Sequence, residues 1–334
     1  MDLTFDALIA ERRAGPGGAR AVLTPEGGTP LMIEDFEALV GRAAAWLQAQ
    51  GVTRGDRVAV WLPNHPHWLA LLFGAARIGA TIAAVNTRYR TAELHHILLS
   101  SGARLLIFDS GDRHADFHAM TGALDFATLP DLRSLAAVGA ADLPSIQGIP
   151  VVPCRFDGLD PLPPQGAKPS DPIILFTTSG TTSKPKLVLH RQESLSLHAR
   201  LCAPAYGFDA PDAAYLAAMP LCGVFGLNPT LAAFAGGTPI HLLTAYALNP
   251  ALAIARAQKI THFFGSDEMF RQMWEADRTA FDLARICGFG AFTPGMGPAL
   301  RAMAEAGLPL CGVYGASELH AIFAIQPLSQ PIER

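Results

Sequence analysis

Residues 177–186 read Thr-Thr-Ser-Gly-Thr-Thr-Ser-Lys-Pro-Lys. Six hydroxyl side chains surround one glycine, and two lysines follow. Hydroxyls and free backbone N–H groups suit phosphate oxygens, a glycine lets the backbone come close, and lysines bring point charges to a polyphosphate. The segment is not a Walker A loop, which would need Gly-Lys-Ser/Thr starting five residues after Gly180, where Pro185 stands. A polar surface turn has the same composition, so the segment alone leaves both readings open. The other chemistry-bearing residues make no comparable set. Cys154, Cys202, Cys222, Cys287 and Cys311 are an odd number without a C-x-x-C pair, and His65/His67 and His95/His96 lack ligand partners at matching spacing. Zinc is therefore not expected, and those histidines are assigned to helix surfaces.

The elements around the loop set its context. An apolar strand over 173–176 runs straight into it. Upstream, Phe36, Leu39, Val40, Ala43 and Leu47 make one helical stripe. A buried strand is expected over 57–62, a helix over 67–78 stopping at Gly79, a strand over 81–85, a helix over 92–99 and a strand over 104–108. This is the rhythm of βαβ crossovers and a mainly parallel sheet. A looser region, 110–168, holds one modest helix around 132–138, and the proline-rich 161–169 reads as a linker. Beyond it, strands are expected over 173–177, 215–219, 239–243, 262–264, 285–289 and 310–314, with helices between.

At 334 residues, half of them hydrophobic, the chain suits two subdomains. A net charge of −4 with scattered basic residues argues against a nucleic-acid partner. The longest apolar runs fall far short of a bilayer span, and the first ten residues carry acids but no basic n-region. No transmembrane segment is expected, and reduced thiols point to a cytoplasmic protein.

The loop resembles the phosphate signature of the adenylate-forming superfamily, Ser/Thr-Gly-Thr-Thr-Gly-x-Pro-Lys-Gly. It matches at Ser179, Gly180, Thr181, Thr182, Pro185 and Lys186, and departs at Ser183 and Leu187, where the family has glycine. Leu187 enters the left-handed backbone region less easily than glycine. Residues 55–60, 74–86 and 91–107 resemble the family's early strand and helix pattern. Pro220-Leu221-Cys222-Gly223-Val224-Phe225-Gly226 resembles Pro-Leu-Phe-His-x-x-Gly, with Gly223 in place of the histidine. That exchange implies a roomier, less polar acid pocket, although a plain strand-to-helix turn would also favour glycine. Tyr314-Gly315-Ala316-Ser317-Glu318 resembles Tyr-Gly-x-Thr/Ser-Glu, although a helix start with Ser317 as N-cap reads equally well from the pentapeptide alone. Gly290 and Ala291 stand at the adenine-flanking strand end, and 261–273, with Gly265, at one wall of the acyl pocket.

The resemblance implies an α/β fold of two interleaved αβα subdomains, about 50–210 forming one and 1–49 plus 211–334 the other. The nucleotide is expected at their junction. The family's β-barrel subdomain, the aspartate that holds the ribose hydroxyls, and the mobile C-terminal domain with its catalytic lysine find no counterpart in these residues. The resemblance also implies ATP-dependent activation of a small-molecule carboxylic acid to an acyl-adenylate, then thioester formation with coenzyme A as co-substrate. Thr178, Ser179, Gly180, Thr181, Thr182 and Lys184 would hold phosphates. Tyr314 with Gly315 and Ala316 would take the adenine, Ser317 a phosphate, and Glu318 the Mg²⁺. Glu318 and Lys186 would be the catalytic pair, and Gly223, Val224, Phe225 and Gly265 would meet the acid. Each role suits its chemistry: an aromatic face for a purine, a carboxylate for a hard cation. Without the lysine and the lid, slow or absent turnover is expected of residues 1–334, and an uncovered apolar face would allow a homodimer or aggregation. Two alternatives stand beside the ligase. One is an amino-acid adenylation domain, with Asp267 pairing the amine. The other is a catalytically silent nucleotide-binding module, in keeping with Ser183 and Leu187.

Overall fold

The computed structural model describes residues 1–111, 116–139, 142–178 and 185–332. Among them run β1 (Leu23–Pro25), β2 (Arg57–Trp61), β3 (Thr81–Ala84), β4 (Leu105–Asp109), β5 (Ser134–Val138), β6 (Val151–Pro153) and β7 (Pro172–Thr178). After these come β8 (Lys186–Arg191), β9 (Tyr215–Ala217), β10 (Ile240–Leu242), β11 (His262–Ser266), β12 (Ile286–Gly290), β13 (Leu310–Ala316) and β14 (Ala321–Ile325). The chain divides into two compact units, Met1–Ile9 with Glu34–Ser196, and Ala10–Ile33 with Leu197–Arg334. Each unit carries one seven-stranded mixed sheet.

In the first unit the strand order is β6-β5-β4-β2-β3-β7-β8. Every pairing is parallel except β7–β8. Parallel neighbours need a crossover. Pro66–Ile78 links β2 to β3, and Thr91–Ser101 links β3 to β4. Val58, Ala59, Val60 and Trp61 of the central β2 are all buried, as expected of a strand covered on both faces. The helix Ile33–Ala49 buries Ile33, Phe36, Val40, Ala43 and Leu47, the stripe legible in the sequence, while Leu39 is half-buried. Pro66–Ile78 begins with proline in its first turn, where the missing N–H costs nothing, and ends at Gly79 in the left-handed region (φ 73°).

Two expectations for this unit are corrected. Residues 134–138 form β5, parallel to β4 in the register Leu105↔Ser134 to Asp109↔Val138, and not a helix. Leu135 to Val138 are all buried, and so short an apolar run has no period that separates strand from helix. The proline-rich stretch is not a free linker either. Leu162 donates its N–H to the Gly41 carbonyl at 3.0 Å, and its own carbonyl accepts from Arg77 at 2.8 Å.

His65 and His67 are likewise not surface residues. His65 Nδ1 caps the helix by accepting from the His67 N–H at 3.1 Å, and the His67 ring stacks on Phe156 at 4.5 Å. Burial, then the neighbouring His65, pushes the His67 imidazole down to about 4.

In the second unit the order is β1-β10-β9-β11-β12-β13-β14, again parallel but for the last pair. Its core gathers Leu216, Phe263, Phe270, Phe281, Cys287 and Leu310. Arg12 is buried here at 3% exposure. Its guanidinium donates to the carbonyls of Phe234 at 2.9 Å and Ala21 at 3.0 Å, and lies over the Phe234 ring. The first of these satisfies the C-terminal end of the helix Val224–Gly236, where carbonyls lack intrahelical partners. None of the five cysteines is in a disulfide, and all are buried. Burial raises the Cys311 thiol to about 12, and burial followed by Cys311 raises Cys287. Burial also raises Cys154 and Cys202, so these four thiols are not poised for nucleophilic work. No helix among the described residues is long and apolar enough to cross a membrane.

Candidate functional site

Ser179, Gly180, Thr181, Thr182 and Lys184 lie outside the described residues, as does Ser183. What can be read is how the segment is anchored. Thr178 pairs with Lys186, and Thr177 with Leu187, in the antiparallel β7–β8 ladder. Tyr89 Oη donates to Thr177 Oγ1 at 3.1 Å, and His96 Nε2 donates to the Pro185 carbonyl at 2.8 Å. Both ends of the phosphate-type segment are thus tied to residues at and before the helix Thr91–Ser101. Thr178 is half-buried and Lys186 exposed. Leu187, which departs from the resembled signature, is an ordinary β8 residue without left-handed backbone, so it brings no strain.

In the second unit Tyr314, Gly315 and Ala316 close β13, Ser317 and Glu318 begin a single 3-10 turn, and the chain reverses into β14. Ser317 is therefore not the N-cap of an α-helix. Ala316 occupies the cap position and provides no side-chain bond. Tyr314 is 69% exposed although aromatic, and its ring meets Phe323 edge-on at 5.4 Å. Glu318 is exposed. The ladder slips in register between Tyr314 and Gly315. A Cβ on Gly315 would stand 1.6 Å from the Ala321 carbonyl oxygen, so only glycine lets the two backbones approach this closely. His320 and Ala321 are non-glycine residues with positive φ, 55° and 69°. Asn228 holds that turn by donating from Nδ2 to the His320 carbonyl at 3.1 Å, while accepting from Tyr206 Oη at 3.1 Å. His320 Nδ1 lies 3.3 Å from His198 Nδ1. Backbone in a sparsely populated region persists where its surroundings over-determine it, and it concentrates at functional turns.

The residues expected to meet the acid fall into one neighbourhood of the same unit. Gly223 is the N-cap of Val224–Gly236, with extended backbone. A Cβ there would meet only the Pro220 carbonyl oxygen, at an ordinary 3.5 Å, so the position would accept a side chain and glycine leaves space. Val224 and Phe225 are half-buried in the first turn. Gly265 is buried in β11 beside Met269. Gly290 ends β12, opposite Ser266 of β11, and Ala291 is exposed just after it. The rings of Phe225 and Phe292 stand 6.1 Å apart. A Cβ on Gly290 would fall 2.7 Å from the Phe292 ring and 3.5 Å from the Phe225 ring. The structure thus brings Gly290 together with Phe225 through Phe292, a residue the motif comparison passed over.

Asp267 also differs from expectation. The adenylation-domain alternative would have it pair a substrate amine, and it is fully buried. Oδ2 accepts from the N–H groups of Phe292 at 3.1 Å and Thr293 at 2.8 Å, and Oδ1 accepts from Thr293 Oγ1 at 3.1 Å and the Glu268 N–H at 2.9 Å. Four donors satisfy a carboxylate that would otherwise be costly to bury, and its place in the first turn of Asp267–Ala276 adds the helix dipole. A carboxylate so occupied is not free to pair with an amino group. The signal was in the sequence: Ser266 before an acid and an apolar period marks a helix start. Ser266 Oγ does cap, accepting from the Met269 N–H at 3.2 Å. Glu268 does lie toward the surface, held down to about 2 by Arg271 and then Gln272.

Residues 10–334 match the family model described as AMP-binding enzyme. Protein Y of Streptomyces griseus is 30% identical over 259 residues, covering 77% of this chain and 82% of that protein. The feruloyl-CoA synthase of Amycolatopsis sp is 30% identical over 284 residues, covering 82% of this chain and 52% of that enzyme, so the chain spans about half that relative's length. Among solved structures, o-succinylbenzoate CoA synthetase from Bacillus subtilis, in complex with its acyl-adenylate intermediate, gives a TM-score of 0.77 at 20% identity. The match covers 96% of this chain and 77% of that one, and it speaks for the shared fold alone. From the family match and these relatives, the chain belongs to the AMP-binding, adenylate-forming enzyme family.

Proposed function

We propose that this chain carries the nucleotide- and acid-binding part of an AMP-forming acid–CoA ligase. The observation that carries the reading is the Tyr314–Glu318 hairpin in a member of this family. An aromatic ring is left open to solvent by a bulge only glycine permits, with an exposed carboxylate four residues on. The adenine would stack on Tyr314. Thr178 and Lys186, with the segment between them, would meet the phosphates of ATP. Glu318 is the residue offered to Mg²⁺, which when bound would offset phosphate charge. No cluster of three metal-type ligands exists among the described residues.

The chemistry has two steps. A carboxylate oxygen of the acid attacks the α-phosphorus of ATP, the P–O bond to the β-phosphate breaks, and pyrophosphate leaves. Coenzyme A sulfur then attacks the acyl carbon and AMP leaves. Both partners of the first step are anions, so Lys186 would serve by lowering their mutual repulsion and stabilising charge on the phosphoryl oxygens. Gly223, Val224, Phe225 and Gly265 would accommodate the acid, and the space at Gly223 favours a bulky one. The relative named feruloyl-CoA synthase supports an organic acid as substrate and coenzyme A as acceptor. Asp267, committed to the 292–293 backbone, weighs against amino-acid activation.

The test is calorimetry with AMP and ATP, joined to pyrophosphate exchange with a panel of acids. Tyr314→Ala should weaken AMP binding by about 1–3 kcal/mol, the scale of base–aromatic stacking. Unchanged AMP affinity in that variant, or no nucleotide binding by the wild type, would defeat the assignment.

A further inference from the structure

The loop after β12 is held in an unusual way for a surface loop. Residues 291–295 are exposed, yet two of their backbone N–H groups and one hydroxyl converge on a single carboxylate with no solvent exposure. That carboxylate leaves Phe292 65% exposed, and the ring is not loose. It lies over the bare Cα of Gly290 and tilts against Phe225 at 60°. An exposed aromatic ring fixed by its own backbone presents a π-face at little entropic cost to whatever binds beside it.

We propose that Asp267 is a positioning residue for acid selection, holding Phe292 beside Phe225 over Gly290 as an aromatic wall that favours planar aryl carboxylic acids over straight-chain ones. The inference rests on the ligase reading above and names the substrate class for that acid site. Asp267 touches no reacting atom and acts only through the N–H groups of Phe292 and Thr293. Its carboxylate has two oxygens on this loop. Asparagine keeps one acceptor oxygen for the two N–H groups, whereas alanine keeps none.

The probes are two non-hydrolysable acyl-sulfamoyl adenosines, one cinnamoyl and one a saturated straight chain of equal carbon count. Both carry the same nucleotide, so the ratio of their affinities isolates the acyl group. The wild type should prefer the cinnamoyl conjugate by up to about tenfold, the range of an aromatic pair beyond its buried area. Phe292→Ala and Asp267→Ala should bring the ratio to near one, and Asp267→Asn should keep most of it. A merely structural role for Asp267 would weaken both conjugates alike and leave the ratio unchanged. Phe292 is exposed, so Phe292→Ala remains decisive if Asp267→Ala does not fold. A ratio near one in wild type that still binds AMP, or a ratio untouched by Phe292→Ala, overturns this inference alone. Failure of wild type to bind AMP or either conjugate overturns the ligase reading and the inference with it.

Discussion

Lowering the pH from about 7.5 to about 5.5 should destabilise the second unit through two buried histidines. His241 of β10 and His262 of β11 flank β9 in one sheet, 8% and 1% exposed. Burial pushes each imidazole from 6.5 down to about 4. For His262, smaller opposing contributions come from Tyr206 and Asp212, which raise it, and Arg285, which lowers it. A histidine with a depressed folded pKa takes up its proton in the unfolded chain first. Stability is therefore complete above about pH 7.5, falls as pH drops through 6.5, and is lost progressively until about pH 4. At pH 5.5 the unfolded imidazole is protonated by about ten to one while the folded one stays neutral, a penalty of about 1.4 kcal/mol each. The pair costs the unit about 3 kcal/mol, a large part of the roughly 5–15 kcal/mol that holds a domain together. His67 of the first unit adds a shift of the same sign. Asp56 and Asp212, held below the ordinary carboxylate range, respond only at more acid pH. Urea denaturation at pH 7.5, 6.5 and 5.5 measures the effect, and His241→Leu should remove about half of the second unit's loss. Equal unfolding free energies at pH 7.5 and 5.5 would refute the burial argument for both residues.

Three further outcomes follow from packing. Gly315→Ala places its methyl group on the Ala321 carbonyl, backbone against backbone, and should cost about 3 kcal/mol in denaturant unfolding. Gly290→Ala would force the Phe292 ring off its place over Gly290, and because that ring is exposed the unfolding free energy should change by less than about 1 kcal/mol while the aryl preference drops. Arg12→Met should destabilise by about 3 kcal/mol, because the buried carbonyls of Ala21 and Phe234 lose their donor, and guanidinium denaturation reads it directly.

The parallel cores were legible because their strands are runs of buried apolar residues between turn signals. Residues 57–61, 81–84 and 105–109 were all visible in this way. The strands that escaped have particular reasons. β1 and β6 are three residues long. β8 alternates poorly because its outer positions, Lys186, Leu189 and Arg191, face out from a sheet edge. β14 exposes Phe323 and Ala324, so nothing in its pattern marks a buried face. At the candidate site the motif residues could be numbered from the sequence, but what holds them could not. Asp267 is 25 residues from Phe292, and no local period reports a carboxylate at the end of one parallel strand tying down the loop that follows its neighbour. His67 was misjudged for the same reason, since Phe156 covers it from a segment with no regular structure.

The four strands that escaped, β1, β6, β8 and β14, are the four sheet edges, and the candidate chemistry sits at two of them. In a parallel sheet the chain leaves each strand for a crossover helix, and a loop at a strand end is tied to the sheet on one side only. Each unit here departs from parallel pairing once, at β7–β8 and at β13–β14. In each case the motif residues occupy the reversal. Thr178 and Lys186 face each other across one ladder, and Tyr314 faces Ala324 across the other. Antiparallel hydrogen bonds hold the strand residues on either side of a reversal, so Lys186 and Tyr314 are fixed in a ladder while staying exposed. That combination of exposure and fixed position is what a nucleotide site requires. It also explains why these strands hide from sequence patterns: an edge strand that serves a ligand cannot bury both faces, and alternation disappears where it is solvated.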